Sequence, residues 1–155
     1  MQQTTDGGYI MTGYGGIGPG GNIAPNIYLI KTDTNGNQEW FNTYDNNISW
    51  DMAFSVQQTT DQGYIVAGLI SFSPFNSTDI YLIKTDSLGD TLWTRMYGGA
   101  GNEYSEEVRL TPDGGYIIVG GTDSYGMGAC DVYLIKTDSL GDTLGTKTFS
   151  GYADD

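Results

Sequence analysis

The stretch YLIKTDSLGDTL occurs at Tyr81–Leu92 and again, unchanged, at Tyr133–Leu144. A third version, YLIKTDTNGNQE, lies at Tyr28–Glu39. The first half of each version is rich in β-branched and aromatic residues, which favour a strand. The second half contains a turn signal, and an Asn-Gly pair between strands is a strong one because both residues tolerate positive φ. The stretch is therefore predicted to be a β-hairpin that the chain builds three times.

The hairpin belongs to a longer repeat that covers nearly the whole chain. The three units are residues 2–56, 57–108 and 109–155, and the last two match at a constant offset of 52 residues without a gap. Each unit has four candidate strands, A to D, exemplified by MAFSV (Met52–Val56), GYIVAG (Gly63–Gly68), IYLIKT (Ile80–Thr85) and TLWTRMY (Thr91–Tyr97). A period of about fifty residues is typical of a four-stranded propeller blade.

These patterns predict an all-β fold. Residues 1–155 are predicted to form a single repeat domain of three β-propeller blades, each a four-stranded antiparallel repeat of about 52 residues. The chain contains B, C and D strands for three blades but only two A strands, so strand A is expected to be missing at one end.

The repeat also resembles a known family. YLIKTDSLGDTLW is similar to the blade hairpin of propellers of the pyrroloquinoline-quinone type, and the whole unit is similar to repeats of large secreted bacterial propeller proteins. The resemblance implies a secreted or cell-surface protein in which Trp40 and Trp93 dock between blades. Gly145 stands at the same position of the third unit, where the missing ring would leave a cavity. No positions match the quinone-binding residues, so that cofactor is not expected.

Composition excludes several classes of function. Nineteen acidic and six basic side chains give a formal charge of −13. Such a surface repels phosphate backbones and anionic membranes, so neither nucleic acid nor a membrane is an expected partner. The chain has no histidine, which excludes the Ser-His-Asp and Cys-His nucleophile systems and most zinc sites. Cys130 is the only cysteine, so no intrachain disulfide can form.

The number of blades predicts association. A propeller ring typically has about four to eight blades, so three cannot close one. Open blade faces would expose apolar patches, which favour association. We therefore expect a homo-oligomer, most simply two chains that together form six blades. Joining the two ends of the chain would nearly continue the repeat, so we also expect the chain to derive from a longer propeller, and the two expectations are compatible.

A ligand is expected at the end of the blades where the loops vary. The A–B and C–D turns are nearly uniform among the units, whereas the B–C and D–A loops differ, and binding concentrates on loops held by a rigid scaffold. Aromatic rings beside polar residues suit a glycan or protein ligand, although the same rings are also suited to cover blade edges. The candidate ligand-binding residues are Tyr14, Trp50, Phe72, Phe75 and Tyr125.

Carboxylates provide a candidate metal site. Asp51, Glu103 and Asp155 occupy one equivalent position just before strand A. In a closed ring they would form a circle of carboxylates suited to calcium. The alternative is that each caps the turn into strand A by accepting backbone N–H bonds. Apart from calcium no cofactor is expected.

The recurring lysines of the IKTD motif are expected to be part of the scaffold. Lys31, Lys84 and Lys136 each precede an aspartate by two residues, namely Asp33, Asp86 and Asp138. Alternation along a strand places such a pair on one face, so each lysine is predicted to pair with that aspartate.

The leading hypothesis from the sequence is a non-enzymatic propeller, which serves as a scaffold or binding module and closes its ring by self-association. The rival is a glycoside-cleaving or sugar-binding propeller that uses carboxylates and aromatic rings on the variable face, since glycoside cleavage needs two carboxyl groups beside a sugar pocket. A third reading is purely architectural, an amplified repeat that only closes or polymerises.

Overall fold

The computed structural model describes residues 1–16, 25–44, 50–72, 77–127 and 129–150. Within these ranges the chain forms twelve β-strands. In chain order the strands are β1 (Gln2–Gln3), β2 (Tyr9–Gly15), β3 (Asn26–Thr32), β4 (Gln38–Tyr44), β5 (Asp51–Gln58), β6 (Tyr64–Phe72), β7 (Ser77–Thr85), β8 (Thr91–Tyr97), β9 (Glu103–Leu110), β10 (Tyr116–Thr122), β11 (Asp131–Thr137) and β12 (Thr143–Phe149). No helix among the described residues is long and apolar enough to span a membrane.

The strands form three four-stranded antiparallel sheets, which confirms the all-β prediction. Sheet 1 contains β1 to β4, sheet 2 contains β5 to β8 and sheet 3 contains β9 to β12, and consecutive strands are neighbours in every sheet. The first strand of sheet 1 is reduced to two residues, Gln2 and Gln3, which pair with Ile10 and Tyr9, whereas β5 and β9 have eight residues each. Sheets 2 and 3 each take their first strand from the end of the preceding repeat unit.

The repeated turn explains why the opening stretch recurs. In sheet 2 the Asp86 carboxylate accepts hydrogen bonds from the backbone N–H groups of Leu88 and Asp90, both at 2.9 Å. Gly89 follows with a φ of +83°, a conformation that favours glycine. Asp33 and Asp138 accept the equivalent bonds in the other sheets. The aspartate and the glycine of the motif are therefore both needed to close the hairpin between the third and fourth strands of each sheet.

The recurring lysines bind a different aspartate from the one predicted. Lys84 Nζ lies 2.8 Å from Asp61 Oδ2, in the turn between β5 and β6, and also donates to the Thr85 carbonyl oxygen at 2.8 Å. The equivalent pairs are Lys31 with Asp6 and Lys136 with Asp113. The predicted pairing with Asp33, Asp86 and Asp138 is wrong because those carboxylates are engaged by the N–H groups of their own turns.

Two apolar cores lie between the sheets. The first joins sheets 1 and 2 and includes Ile10, Leu29, Val66 and Ile83. The second joins sheets 2 and 3, and its fully buried members are Ile65, Ala67, Ile80, Leu82, Val108, Ile118 and Ile135. Sheet 2 is thus covered on both faces, which explains why β6 reads as an almost continuous apolar run.

The same contact is built at both joints between sheets. The Trp40 ring of sheet 1 lies 5.7 Å from the Tyr64 ring of sheet 2. The Trp93 ring of sheet 2 lies 6.0 Å from the Tyr116 ring of sheet 3. Each ring also reaches the glycine of the next hairpin, because a Cβ on Gly89 would come within 2.9 Å of Trp40. Both tryptophans therefore lie between neighbouring sheets.

Hydrogen bonds repeat at the two joints as well. Tyr44 Oη donates to the Gly89 carbonyl oxygen, and Tyr97 Oη donates to that of Gly141, both at 2.7 Å. At the first strands, glutamine side chains accept backbone N–H bonds from the next sheet. The donors and acceptors are Gln58 N–H to Gln2 Oε1 at 2.6 Å and Leu110 N–H to Gln57 Oε1 at 3.1 Å.

Candidate functional site

Among the described candidates at the variable loops, Tyr14, Trp50 and Tyr125 are not in ring contact with one another. Tyr14 is 50 % exposed, and its ring meets Phe54 of sheet 2 edge-on at 5.9 Å. Trp50 is 55 % exposed and precedes β5.

Tyr125 has a structural contact beside its exposed surface. Its hydroxyl donates to the Gly98 carbonyl oxygen at 2.8 Å, and its ring lies 5.3 Å from Tyr133. It therefore ties the β10–β11 loop to the β8–β9 loop. Phe75 lies outside the described residues, and Phe72 is the last residue of β6.

Glu103 caps the entry to β9, in agreement with the alternative to a metal site. The side chain is 0 % exposed. Its carboxylate accepts hydrogen bonds from Gly99 N–H at 2.7 Å, Thr122 Oγ1 at 2.6 Å and Ser124 N–H at 3.1 Å. The carboxylate therefore joins the β8–β9 loop, the end of β10 and the β10–β11 loop.

Asp51 and Asp155 are the other two residues of the predicted calcium circle. Asp51 is buried at the start of β5, where its backbone N–H donates to the Pro25 carbonyl oxygen at 2.9 Å. Asp155 lies outside the described residues. Among the described residues no group of three or more Asp, Glu, Cys or His side chains is arranged to hold a metal ion.

Asp79 is a site residue that the sequence analysis missed. It lies in β7 beside Glu103, and a Cβ added to Gly98 would overlap Asp79 Oδ1 and come within 2.8 Å of Glu103 Oε2. Burial raises the pKa of the Asp79 carboxyl, and the charge of Glu103 raises it further. Asn26, Asp79 and Asp131 share one equivalent position, and that recurrence was the available signal. Glu103 is fully buried and Asp79 is half-buried, so Asp79 is the more accessible of the two carboxyls.

A cavity of about 590 Å³ lies at the other end of the sheets, among the near-uniform turns. It opens between sheets 2 and 3 and is lined by residues that include Asp61, Trp93, Thr111 and Tyr116. At the equivalent place between sheets 1 and 2 the gap is bridged. The bridging bonds run from Thr5 N–H to Gln58 Oε1 at 2.8 Å and from Thr5 Oγ1 to Gln62 Oε1 at 2.9 Å. Leu110 and Gly114 replace both glutamines in sheet 3, which leaves the gap open.

The two outer sheet faces are the largest departure from the repeat. Val132 of sheet 3 is 49 % exposed, whereas its equivalent Ile80 in sheet 2 is 0 % exposed. The Lys136 side chain is 37 % exposed, compared with 5 % for Lys84. These positions are covered in sheet 2 by sheet 3, and nothing in the chain's described residues covers them in sheet 3.

Sheet 1 has the matching open face on its other side. A Cβ on Gly36 would meet nothing within 4 Å, whereas the equivalent Gly89 and Gly141 lie under tryptophan rings. Phe41 is 44 % exposed on this face, with its ring 5.2 Å from that of Tyr28. Sheet 1 therefore leaves open a glycine position that a tryptophan ring covers in sheets 2 and 3, whereas Phe41 is exposed like its equivalents Thr94 and Thr146.

Neither a scan against protein-family models nor a search of curated proteins returns a match to this chain.

Proposed function

We propose that the chain is a set of three β-propeller blades that acts as a non-enzymatic scaffold or binding module of a secreted or cell-surface bacterial protein. It completes its ring by association with a second copy, and two chains give six blades. The three sheets of one size support the blade assignment, and so does the joint that is built twice with the same Trp–Tyr contact.

The uncovered outer faces are the observation that carries this proposal. Val132 and Lys136 of sheet 3 are exposed, and their equivalents in sheet 2 are buried under the next sheet. Exposed apolar side chains at such an uncovered position favour association. A joint between sheet 3 of one copy and sheet 1 of the other, made twice around a two-fold axis, uses both open faces and leaves none.

The absence of a catalytic role is supported by the engagement of the charged groups. The recurring lysines are held by turn aspartates, and the buried Glu103 is held by two loop N–H donors and the Thr122 hydroxyl of β10. The exposed aromatic residues of the variable loops remain for binding. A glycan or a protein surface suits Trp50 and Tyr14, each about half exposed at that end of the sheets.

The test of association is the solution mass, measured by light scattering on a sizing column over a hundred-fold range of concentration. The expected result is a species of twice the 16.8 kDa chain mass. A species that stays at 16.8 kDa at every concentration contradicts ring closure by self-association.

The test of binding is a glycan array and a titration of the best neutral oligosaccharides at millimolar concentration. We expect the Trp50→Ala variant to bind roughly fivefold more weakly, because a stacked aromatic ring contributes about 1 kcal/mol. Leu88→Thr is the matched control, since Leu88 is exposed in a turn at the opposite end of the sheets. No binding by the wild-type protein contradicts the glycan half of the proposal.

A further inference from the structure

The joint that would close the ring cannot repeat the two internal joints. Sheet 3 lacks the side chains that make them on its open face. Gly145 replaces the docking tryptophan, and Phe149 replaces the tyrosine whose hydroxyl reaches the next hairpin. Arg109 replaces the glutamine that accepts a backbone N–H bond, and a guanidinium offers donors only. The open face of sheet 3 is therefore built for a different contact.

Gly145 leaves an apolar slot on this face. The slot has a volume of about 290 Å³, and its walls include Ile117, Leu134 and Leu144. Lys136 and Lys147 also line it. A cavity with aliphatic walls and cationic neighbours suits an aromatic ring, which has an apolar body and a negative face.

The open face of sheet 1 differs from the repeat in the opposite sense. Phe41 stands where sheets 2 and 3 have Thr94 and Thr146. One end face has thus lost an aromatic ring, at Gly145, and the other has gained one, at Phe41. The two changes lie on the two faces that have no partner within the chain.

Phe41 lies on the same open face of sheet 1 as the place of the missing ring. At the internal joint the Trp40 ring contacts Tyr64 and lies over Gly89. The sheet 1 equivalents are Tyr9, in β2, and Gly36, in the turn that leads into β4. Phe41 follows that turn in β4, where it pairs across the strands with Ile30.

We propose that Phe41 of one copy enters the Gly145 slot of a second copy, so that the closing joint receives its aromatic ring from sheet 1. This inference rests on the proposed self-association and names the contact that makes it specific. By strand alternation Arg109, Lys136 and Lys147 lie on the open face of sheet 3. Arg109 is paired with Glu107, and Lys136 is paired with Asp113. Lys147 has no ion pair among the described residues, so its charge reduces the repulsion between two copies that each have a net charge of −13.

The test is a mutant cycle on the dissociation constant of the wild-type assembly, measured by sedimentation velocity. Phe41→Thr introduces the residue that sheets 2 and 3 carry and should weaken association roughly ten- to a hundred-fold, as expected for removing a buried aromatic ring. Gly145→Trp fills the slot and should also weaken association, because the indole then competes with Phe41. The double variant should bind more tightly than either single variant, since its new indole can lie over Gly36 as Trp40 lies over Gly89.

Controls separate this inference from the proposal on which it rests. Circular dichroism and urea midpoints check that each variant folds, and Leu88→Thr should associate like the wild type. A wild-type protein that is monomeric at every concentration overturns self-association and this contact together. A different result overturns the Phe41 contact alone: the wild type associates, Phe41→Thr leaves its dissociation constant unchanged, and Gly145→Trp tightens the association. The closing joint would then resemble the two joints within the chain.

Discussion

Gln62 has a left-handed backbone conformation at a turn position where the other two sheets have glycine. Its φ is +68°, whereas Gly7 and Gly114 hold the same turn position with φ values of +87° and +83°. The left-handed region costs a residue with a Cβ about 1–2 kcal/mol. The Gln62 side chain offsets that strain, because its Oε1 accepts a hydrogen bond from Thr5 Oγ1 across the joint between sheets 1 and 2.

The first prediction separates the strain from the bridge. Gln62→Ala keeps the strain and loses the bridge, so the free energy of unfolding should fall by about 1 kcal/mol. Gln62→Gly loses the same bridge but relieves the strain, and it should lie within about 1 kcal/mol of the wild type and above the alanine variant. Urea titrations measure both. Gly114→Ala is the matched control for strain alone, since no atom lies within 4 Å of its Cβ position. A glycine variant less stable than the alanine variant would contradict the argument.

Single residues also show where the sequence is insufficient. The strand positions of Lys31, Lys84 and Lys136 follow from alternation, but their partners do not. The nearest aspartate in the sequence is already held by the N–H groups of its own turn, so the ammonium reaches the aspartate of the other turn at the same sheet end. Local spacing cannot reveal this competition between donors for one carboxylate.

Among the elements, the β8 strand supplies the second prediction. Trp93→Gly introduces the residue that sheet 3 carries at the equivalent position. Removing this ring from the joint between sheets 2 and 3 should lower the free energy of unfolding by about 3 kcal/mol, at the lower end for a large aromatic side chain because Trp93 is half-buried. Urea midpoints at one fixed protein concentration measure the loss. A variant within 0.5 kcal/mol of the wild type, on the order of a surface substitution, contradicts a docking role.

Tyr97 gives the third prediction at the same joint. Tyr97→Phe removes only the hydroxyl that donates to the Gly141 carbonyl oxygen at 2.7 Å. The expected loss is about 1 kcal/mol, the usual contribution of one hydrogen bond. Tyr44→Phe should cause a similar loss at the joint between sheets 1 and 2. Sheet 3 already has a phenylalanine, Phe149, at the equivalent position. Equal stability of both variants and the wild type would show that water replaces these bonds.

The turns between the first and second strands of the sheets give the fourth prediction, on pH. Burial raises the pKa of Asp61, but hydrogen bonds from Lys84, Thr59 and Gly63 outweigh it and lower that pKa to about 2. Bonds from Lys136 and Thr111 likewise lower the pKa of Asp113 to about 2. Because the pKa of each carboxyl is lower in the folded state than in the unfolded state, the ionised carboxylates stabilise the fold above about pH 4. This stabilisation is lost as the pH falls through about 2.

The measurement is the urea midpoint between pH 7 and pH 2. The wild type should lose stability mainly below about pH 4, and Asp61→Asn should be less stable at pH 7 and approach the wild type toward pH 2. Glu106→Gln changes an exposed carboxylate outside these ion pairs and should leave the profile parallel to that of the wild type. An Asp61→Asn profile parallel to that of the wild type would show that the ion pair does not stabilise the fold.

For the whole molecule, the sequence predicted the sheets well because their signals are local. The hairpin motif, the alternation and the turn residues each lie within one unit, and the strands β5 to β8 follow the predicted strands within about four residues at each end. The cavity between sheets 2 and 3 was not predicted, because it depends on Leu110 and Gly114 replacing glutamines that face another sheet. Asp79 was missed for the same reason, since its neighbour Glu103 belongs to the next sheet.

The last prediction concerns the open face of sheet 3 and the stability of the assembled molecule. A folded state that associates is stabilised by mass action, so the Tm of the wild type should rise with protein concentration. Val132→Asp places a charge on that face at a side chain that is 49 % exposed in the single chain, so the fold tolerates it. Its Tm should not change with concentration, because an unpaired charge in the joint prevents association. Leu88→Asp adds the same charge at an exposed turn of sheet 2 and should keep the wild-type dependence, whereas a Val132→Asp protein that also keeps it would place the association surface elsewhere.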